Sequence, residues 1–355
     1  MAPFFSILIA SYNRPAFIRK CIYSILANNF DDYEIIISDD CSPRMDEIET
    51  IFRKEFSGYP NIQFFRQETN LGQPENQNFL VSRANGKYYI ALGDDDLLYK
   101  NSLSGLYSYI QKYPGYDLYA FGYSVIDEND RHCYSRYSPI FLEMNIESKY
   151  LNDFLCADVF PFWFFHPSVF CCLTDIRDNV KYKSNVGTGE DYLFLYDLLN
   201  LGKTILILPK VLFMWRRIYK TRTDLQVNLS LDNYNNLKAI KDIYYYMSNR
   251  HDLTPRIEEL VRSTYFRRRF LYNSFLSIKS LDNSLIDRLI NKTNHLREFN
   301  EYKNKLNIRI IRYFLFMSRI KQFIKIVGIS GVIVLLKTYS QKLLYFIKSN
   351  GVFPK

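Results

Sequence analysis

One stretch decides the fold: Tyr88-Tyr89-Ile90-Ala91-Leu92-Gly93-Asp94-Asp95-Asp96-Leu97-Leu98. Its apolar and aromatic run shows no helical period and predicts a buried strand. The three acids that follow the glycine crowd negative charge at the strand end, which is costly unless cations neutralise it. Mg²⁺ or Mn²⁺ would neutralise it, because hard cations prefer oxygen ligands. The alternative is an acidic turn that is simply solvated.

The residues before this stretch alternate between predicted strands and predicted helices. Strands are predicted at 4–10, 33–38 and 62–66, and helices from Pro15, at 45–56 and at 76–84. This alternation predicts an α/β protein with a Rossmann-like, mixed but mostly parallel sheet and helices on both faces. A dinucleotide fold of the nicotinamide type is disfavoured, because no G-x-G-x-x-G follows the first strand.

Ligands of such sheets bind beyond the carboxyl ends of the strands, and three of these ends are polar. They are Ser11–Arg14 after the first strand, Asp39-Asp40 after the second, and Asp94–Asp96. Three polar strand ends in succession predict a ligand site at this edge of the sheet.

A second pair of acids, Glu190 and Asp191, comes just before an apolar helical repeat. Acids are favoured in the first turn of a helix by the helix dipole, and this alone would explain one of them. The functional alternative is a general base, which takes the proton of an attacking hydroxyl.

Several motifs together carry a family resemblance. They are Ser6–Pro15, Glu34–Ser42, Asn70-Leu71-Gly72 with Asn78, Gly86–Ile90 leading into Asp94–Asp96, and Glu190-Asp191. In order and approximate spacing they resemble the family 2 inverting glycosyltransferases over about residues 4–220. The resemblance implies the glycosyltransferase A fold and a nucleotide-diphospho-sugar donor. It also implies a single displacement that inverts the anomeric carbon.

The same resemblance assigns roles to residues of this sequence. It places Asp95 and Asp96 at a Mn²⁺ or Mg²⁺ ion, Asp191 as the general base and Glu190 as a supporting group. Gly93 stands where the family's D-x-D-D motif begins with an acid, and Ile218 replaces a histidine on the loop expected to carry Arg216 over the diphosphate. The residues implied at the nucleotide, with Asp39 at a base that is usually uracil, are Ala10, Ser11, Tyr12, Arg14, Asp39, Asn70, Gln77, Asp94 and Arg216.

The segment on the acceptor side gives fewer signals. Residues 129–160 are predicted to be irregular, and an aromatic stretch follows at 160–170. It reads either as a buried structural segment or as an acceptor site in which Trp163 and His166 contact a sugar. The Gln-x-x-Arg-Trp motif of processive synthases is absent, which favours transfer of a single sugar.

The net charge of +9 lies in the tail. After Glu301 there is no acid, whereas eleven basic residues follow; residues 1–301 hold the other 35 basic residues and all 37 acidic ones. A basic stretch with apolar and aromatic residues at 303–348 suits a membrane interface, and packed helices with a basic solvated face are an equal alternative. The six cysteines form no C-x-x-C pair, which favours reduced thiols in a cytosol over disulfides or zinc. No secretory signal and no membrane span are predicted.

We therefore predict a glycosyltransferase domain at 1–225, a helical extension at 226–300 and a basic amphipathic tail at 301–355. The expected activity is transfer of one sugar, from a UDP-sugar, to a glycan or lipid-linked acceptor in bacterial surface polysaccharide synthesis. The expected location is the cytoplasm, on the inner face of the plasma membrane. A non-catalytic module that binds a sugar nucleotide or glycan is the alternative. Nucleic acid is not an expected partner, because the body carries no basic recognition motif.

Overall fold

A computed structural model describes residues 2–138, 140–148, 169–184, 190–217, 246–247 and 249–262. The described residues up to 217 belong to one compact unit, and those from 246 onward belong to a second. Trp163, His166, Ile218 and the tail at 303–348 lie outside the described residues. In the part of the chain that is described, no helix has the length and apolar character needed to cross a membrane.

The first four strands and three helices follow the sequence prediction closely. The strands are short and mostly apolar, and α1 and α2 repeat their apolar residues at helical spacing. In chain order they are β1 Phe5–Ser11, α1 Pro15–Leu26, β2 Tyr33–Asp39, α2 Met45–Glu55, β3 Ile62–Arg66, α3 Gln73–Arg83 and β4 Tyr88–Gly93.

The later elements of the first unit are β5 Leu97–Leu98, α4 Ser102–Lys112, β6 Leu118–Ile126, β7 His132–Arg136, β8 Leu142–Met144, β9 Phe170–Leu173, a 3₁₀ helix Thr174–Asp178, α5 Glu190–Asn200 and β10 Ile205–Arg216. The second unit contributes α6 Pro255–Arg262. These later elements depart from the prediction at two places. The expectation that 129–160 is irregular is wrong for β7 and β8, which pair with β6 and β10. The expectation that Arg216 lies on a loop is also wrong, because β10 continues through it.

The strands form one mixed sheet in the order β3-β2-β1-β4-β9-β6-β10-β5, with β7 and β8 added at β6 and β10. The block β3-β2-β1-β4 is parallel, as is the pair β6 and β10. Strand β9 runs antiparallel between β4 and β6 and joins the two parallel blocks. The mixed α/β class is thus confirmed, and its parallel character belongs to these two blocks.

Helices cover both faces of the sheet, because strand side chains alternate between them. One face buries Ile7, Ile9 and Ile35 with Ile18 of α1 and Leu106 of α4. On the other face Phe170 stacks on Phe194 of α5 with ring centroids 5.3 Å apart, and α3 packs against β1 and β2. Two covered faces leave the carboxyl ends of the strands as the open edge.

Candidate active site

The carboxyl ends of β1, β2 and β4 lie side by side. In the parallel register Ser11 is level with Asp39, and Ala10 is level with both Ser38 and Gly93. The three polar strand ends of the sequence are therefore brought together at one edge of the sheet. We call Asp94, Asp95 and Asp96, which follow β4, the acid run.

Asp94 connects the acid run to the loop after β1. Its carboxylate is almost fully buried, and Oδ1 accepts a hydrogen bond from Arg14 Nη1 at 2.9 Å. Oδ2 accepts one from the backbone N–H of Tyr12 at 3.1 Å. Burial raises the pKa of Asp94 to about 6, even though Arg14 favours the charged form. Asp94 therefore holds the loop in place with both of its oxygens.

One carboxylate oxygen of Asp95 and one of Asp96 lie close to the backbone of Gly93. A Cβ atom on Gly93 would lie 2.9 Å from Asp96 Oδ2 and 3.2 Å from Asp95 Oδ1. A side chain at position 93 would therefore displace these oxygens from their present positions. The glycine that departs from the family motif leaves room for the two acids that follow it.

These oxygens fit a divalent cation of the hard type. Burial, followed by the charge of Asp95, raises the pKa of Asp96 well above its ordinary value, which reports negative charge that the protein does not fully neutralise. Within the described residues no group of three or more His, Cys, Asp or Glu side chains is arranged to hold a metal on its own. An ion bound at Asp95 and Asp96 would need further oxygen ligands from water or a substrate phosphate, as is usual for Mg²⁺.

Arg216 contacts the acid run through its backbone N–H and its side chain. Its side chain is fully buried; its backbone N–H donates to Asp96 Oδ1 at 2.9 Å, and its Nε donates to the Asp95 carbonyl at 2.7 Å. Nη1 reaches the Asp127 carbonyl at 2.8 Å and the Asp130 carboxylate at 2.5 Å in the turn after β6. Phe17 covers the guanidinium, with 4.9 Å from the guanidinium carbon to the ring centroid. Nε and Nη1 are thus engaged by protein groups, whereas the buried Nη2 has no hydrogen-bond partner among the described residues. Arg216 lies on β10 and not on the expected loop, and its contact with a diphosphate stays a prediction.

The end of β2 is held by a local network around Asp39. This fully buried carboxylate accepts hydrogen bonds from the Ser42 backbone N–H at 2.8 Å and the Ser42 hydroxyl at 2.7 Å. Ser42 Oγ in turn accepts from the backbone N–H of Asn13 at 2.7 Å. Asn13 and Cys41 both have φ of 57°, a left-handed conformation that is uncommon outside glycine. The base contact implied for Asp39 stays a prediction.

Asp40 is a site residue to which the sequence comparison gave no role. Its buried carboxylate accepts the backbone N–H groups of Leu71 at 2.7 Å and Gly72 at 3.0 Å, and its carbonyl accepts Asn70 Nδ2 at 3.0 Å. The loop that carries Asn70 into α3 is thus fastened to the end of β2. In the sequence, the only indication of this role was that Asp40 is the second of two adjacent acids at a strand end.

Three of the residues implied at the nucleotide present buried polar atoms without a hydrogen-bond partner among the described residues. They are Ser11 Oγ, Gln77 Nε2 and Arg216 Nη2. A buried polar group without a hydrogen bond is costly, and such groups in native proteins call for an explanation such as a ligand. The donor contacts implied for these residues stay predictions.

The second acid pair stands at the first turn of α5. Glu190 is 5% exposed, and its Oε2 has no hydrogen-bond partner among the described residues. Burial, followed by the neighbouring charge of Asp191, raises the pKa of Glu190 to about 7. Asp191 is the more exposed of the two. The pair therefore holds a proton close to neutral pH.

Aromatic packing connects the helix that carries this pair to β9, the strand beside β4. Phe194, one helical turn after Glu190, stacks on Tyr182 and on Phe170, with centroids 4.8 Å and 5.3 Å away. Phe170 begins β9, which pairs with Tyr88–Ile90 of β4, four to six residues before Asp94. Asn78 of α3 fixes the approach to α5, because its side chain exchanges two hydrogen bonds of 2.9 Å with the Tyr182 backbone.

Comparison with known proteins finds a family match over nearly half of the chain. The family model for glycosyl transferase family 2 matches residues 6–172. A GalNAc(5)-diNAcBac-PP-undecaprenol beta-1,3-glucosyltransferase of Campylobacter jejuni is 31% identical over 188 residues, which is 52% of this chain and 58% of that protein. The chain spans between 19% and 63% of the length of the first curated relatives that it matches.

Two solved structures share the fold. TarS of S. aureus, residues 1–349 in complex with UDP-GlcNAc, aligns with a TM-score of 0.52 at 16% identity and covers 78% of this chain and 90% of that one. The mannosyltransferase PcManGT of Pyrobaculum calidifontis, in complex with GDP-Man and Mn²⁺, aligns with a TM-score of 0.51 at 9% identity and covers 100% and 89%. The chain therefore has the glycosyltransferase A fold, and its residues 6–172 match the family 2 glycosyltransferases.

Proposed function

We propose that the protein transfers one sugar from a nucleotide-diphospho-sugar, namely a UDP-sugar, to a hydroxyl of a glycan or lipid-linked acceptor. The observation that carries the proposal is that Asp95 Oδ1 and Asp96 Oδ2 lie together beside Gly93, at the carboxyl end of β4. The family match and a fold neighbour solved with UDP-GlcNAc support a sugar-nucleotide donor. The Campylobacter relative, named for an undecaprenol-linked acceptor, supports a role in bacterial surface polysaccharide synthesis.

Asp95 and Asp96 would hold Mn²⁺ or Mg²⁺ together with the donor diphosphate. The ion, when bound, supplies charge that stabilises the leaving nucleoside diphosphate. A fold neighbour solved with Mn²⁺ supports this assignment. Arg216 keeps both acids in place through the backbone contacts described above.

The nucleotide would lie over the ends of β1 and β2. Tyr12 is 49% exposed beside the acid run and offers a ring face on which a base can stack. Ser11 Oγ and Gln77 Nε2 supply buried hydrogen-bonding groups that still need a partner among the described residues. Asn70, held by Asp40, brings the N-terminus of α3 to the same edge.

Asp191 is the proposed general base, and Glu190 supports it. An acceptor hydroxyl becomes a competent nucleophile as a carboxylate takes its proton. The hydroxyl oxygen then bonds to the anomeric carbon as the bond to the diphosphate oxygen breaks, and the configuration inverts. One carboxylate base suffices, so transfer is inverting and needs no covalent intermediate.

Two measurements test the proposal. Asp191→Asn should abolish transfer from a panel of UDP-sugars and leave UDP binding within about twofold of wild type, because a base acts on the acceptor and not on the donor. Retained turnover in this variant would refute the assignment of the base. Transfer that continues in excess chelator would refute the proposed use of a metal.

We also propose that the basic residues at 303–348 bring the enzyme to the inner face of the membrane, where a lipid-linked acceptor resides. The support is the charge pattern, because eleven basic residues and no acid follow Glu301. Truncation after Glu301 should release the protein from vesicles that contain anionic lipid. Unchanged binding of the truncated protein would contradict this role.

A further inference from the structure

We propose that Arg14 is a displaceable counter-ion of the acid run, which competes with the divalent cation for Asp95 and is drawn away by the donor diphosphate. The inference rests on the proposed function, because it assumes a divalent cation at Asp95 and Asp96. Its starting observation is that a single guanidinium nitrogen, Arg14 Nη1, contacts two carboxylates of the acid run.

The two cations would use the same atom. Arg14 Nη1 lies 3.3 Å from Asp95 Oδ1, and this is the oxygen that lies beside Gly93 together with Asp96 Oδ2. A guanidinium at this oxygen repels a divalent ion that approaches it. The divalent ion and Arg14 therefore cannot both occupy their best positions at Asp95.

Arg14 is free to leave, whereas the other arginine of the cluster is not. The Arg14 side chain is 49% exposed, against 0% for Arg216. Arg14 occupies the N-cap position of α1 but makes no side-chain capping hydrogen bond, so its side chain can move without loosening the helix. Asp94 would keep its hydrogen bond from the Tyr12 backbone. The acid run therefore has one permanent cation and one exchangeable cation.

A diphosphate gives the released guanidinium a better partner. Arginine binds phosphate oxygens through paired hydrogen bonds, and Arg14 stands at the exposed edge of the site. A nucleotide diphosphate that attracts Arg14 away from Asp95 would raise the affinity of the acid run for the metal. By thermodynamic linkage, the metal would raise the affinity for the nucleotide by the same factor.

The test is a titration of the full chain with Mn²⁺, in the presence and in the absence of UDP. The electron paramagnetic resonance signal of free Mn²⁺ reports how much of the ion is bound. The proteins are wild type, Arg14→Gln, Arg14→Lys and the control Arg53→Gln. Arg53 is an equally charged residue of α2 that pairs with Glu49 and is 75% exposed. Circular dichroism of each variant checks the fold.

Without UDP, Arg14→Gln should bind Mn²⁺ about tenfold more tightly than wild type, as expected from the repulsion between a divalent and a monovalent charge about 5 Å apart. The factor by which UDP raises Mn²⁺ affinity should be smaller in Arg14→Gln, while Arg14→Lys and Arg53→Gln should resemble wild type. Equal or weaker Mn²⁺ binding by Arg14→Gln without UDP would overturn the inference and leave the proposed metal site intact. Absence of Mn²⁺ binding in every protein, even with UDP, would refute the metal site itself and the inference with it.

Discussion

Replacing Glu190 with glutamine should stabilise the protein at pH 8 and have little effect near pH 5. The carboxyl group is 5% exposed, its Oε2 has no partner among the described residues, and its pKa is raised to about 7. Glutamine has the same shape and stays neutral at every pH. The variant therefore removes the cost of ionising a buried acid and little else.

The size of this stabilisation follows from the difference in the pKa of Glu190 between the folded and the unfolded chain. The unfolded chain releases the proton of this carboxyl near its ordinary pKa of 4.5, whereas the folded protein keeps it up to about 7. Between these values the folded state binds more protons, so the free energy of unfolding falls as the pH rises, by about 1.4 kcal/mol per pH unit. The loss is complete above the folded pKa and amounts to about 3 kcal/mol, which Glu190→Gln avoids. Because Asp191 is coupled to Glu190, the proton belongs to the pair.

Urea unfolding at pH 5, 6, 7 and 8 measures this difference. Glu68→Gln, at an exposed position, is the matched control and should leave the pH dependence unchanged. A difference between Glu190→Gln and wild type that does not grow from pH 5 to pH 8 would refute the reasoning.

Three further substitutions have defined outcomes. Gly93→Ala should weaken Mn²⁺ binding about tenfold, measured by titration, because the new Cβ would lie 2.9 Å from Asp96 Oδ2. Arg216→Met should lower the free energy of unfolding by about 3–5 kcal/mol in urea, since it leaves buried acceptors and acids without their cation. Asn78→Ala should cost about 1–3 kcal/mol and increase amide hydrogen exchange at Tyr182, whose backbone N–H it leaves unpaired.

The sequence predicted the N-terminal block of the fold well, because each element there carries its own signal. Strands β1 to β4 are mostly apolar, and α1 and α2 repeat their apolar residues at helical spacing. Strands β7 and β8 carry no such signal, since His132–Arg136 is mostly polar and only its pairing with β6 makes it a strand. Pairing with a distant segment cannot be read from local pattern.

The sequence predicted which residues lie at the site, but it did not predict which of them contact each other. Arg216 was expected on a loop, yet β10 continues past Pro209 through register shifts between Leu208 and Phe213 and buries Arg216. This continuation adds contacts between Arg216 and the acid run that the sequence did not predict. The contact of Arg14 with Asp94 and Asp95 spans about 80 residues of sequence, and no local pattern could have indicated it.

The two acid clusters meet the same physical problem in different ways. In the acid run, the exposed Arg14 guanidinium lies beside the crowded carboxylates and pairs with Asp94 and Asp95. At Glu190 and Asp191 the described residues supply no such cation to Glu190, and its negative charge is avoided by holding a proton to about pH 7. A cluster that is balanced by an exchangeable cation is suited to exchange it for another cation, and a cluster balanced by a proton is suited to exchange protons. From this difference we infer the division of labour proposed above, with the metal at the acid run and the base at α5.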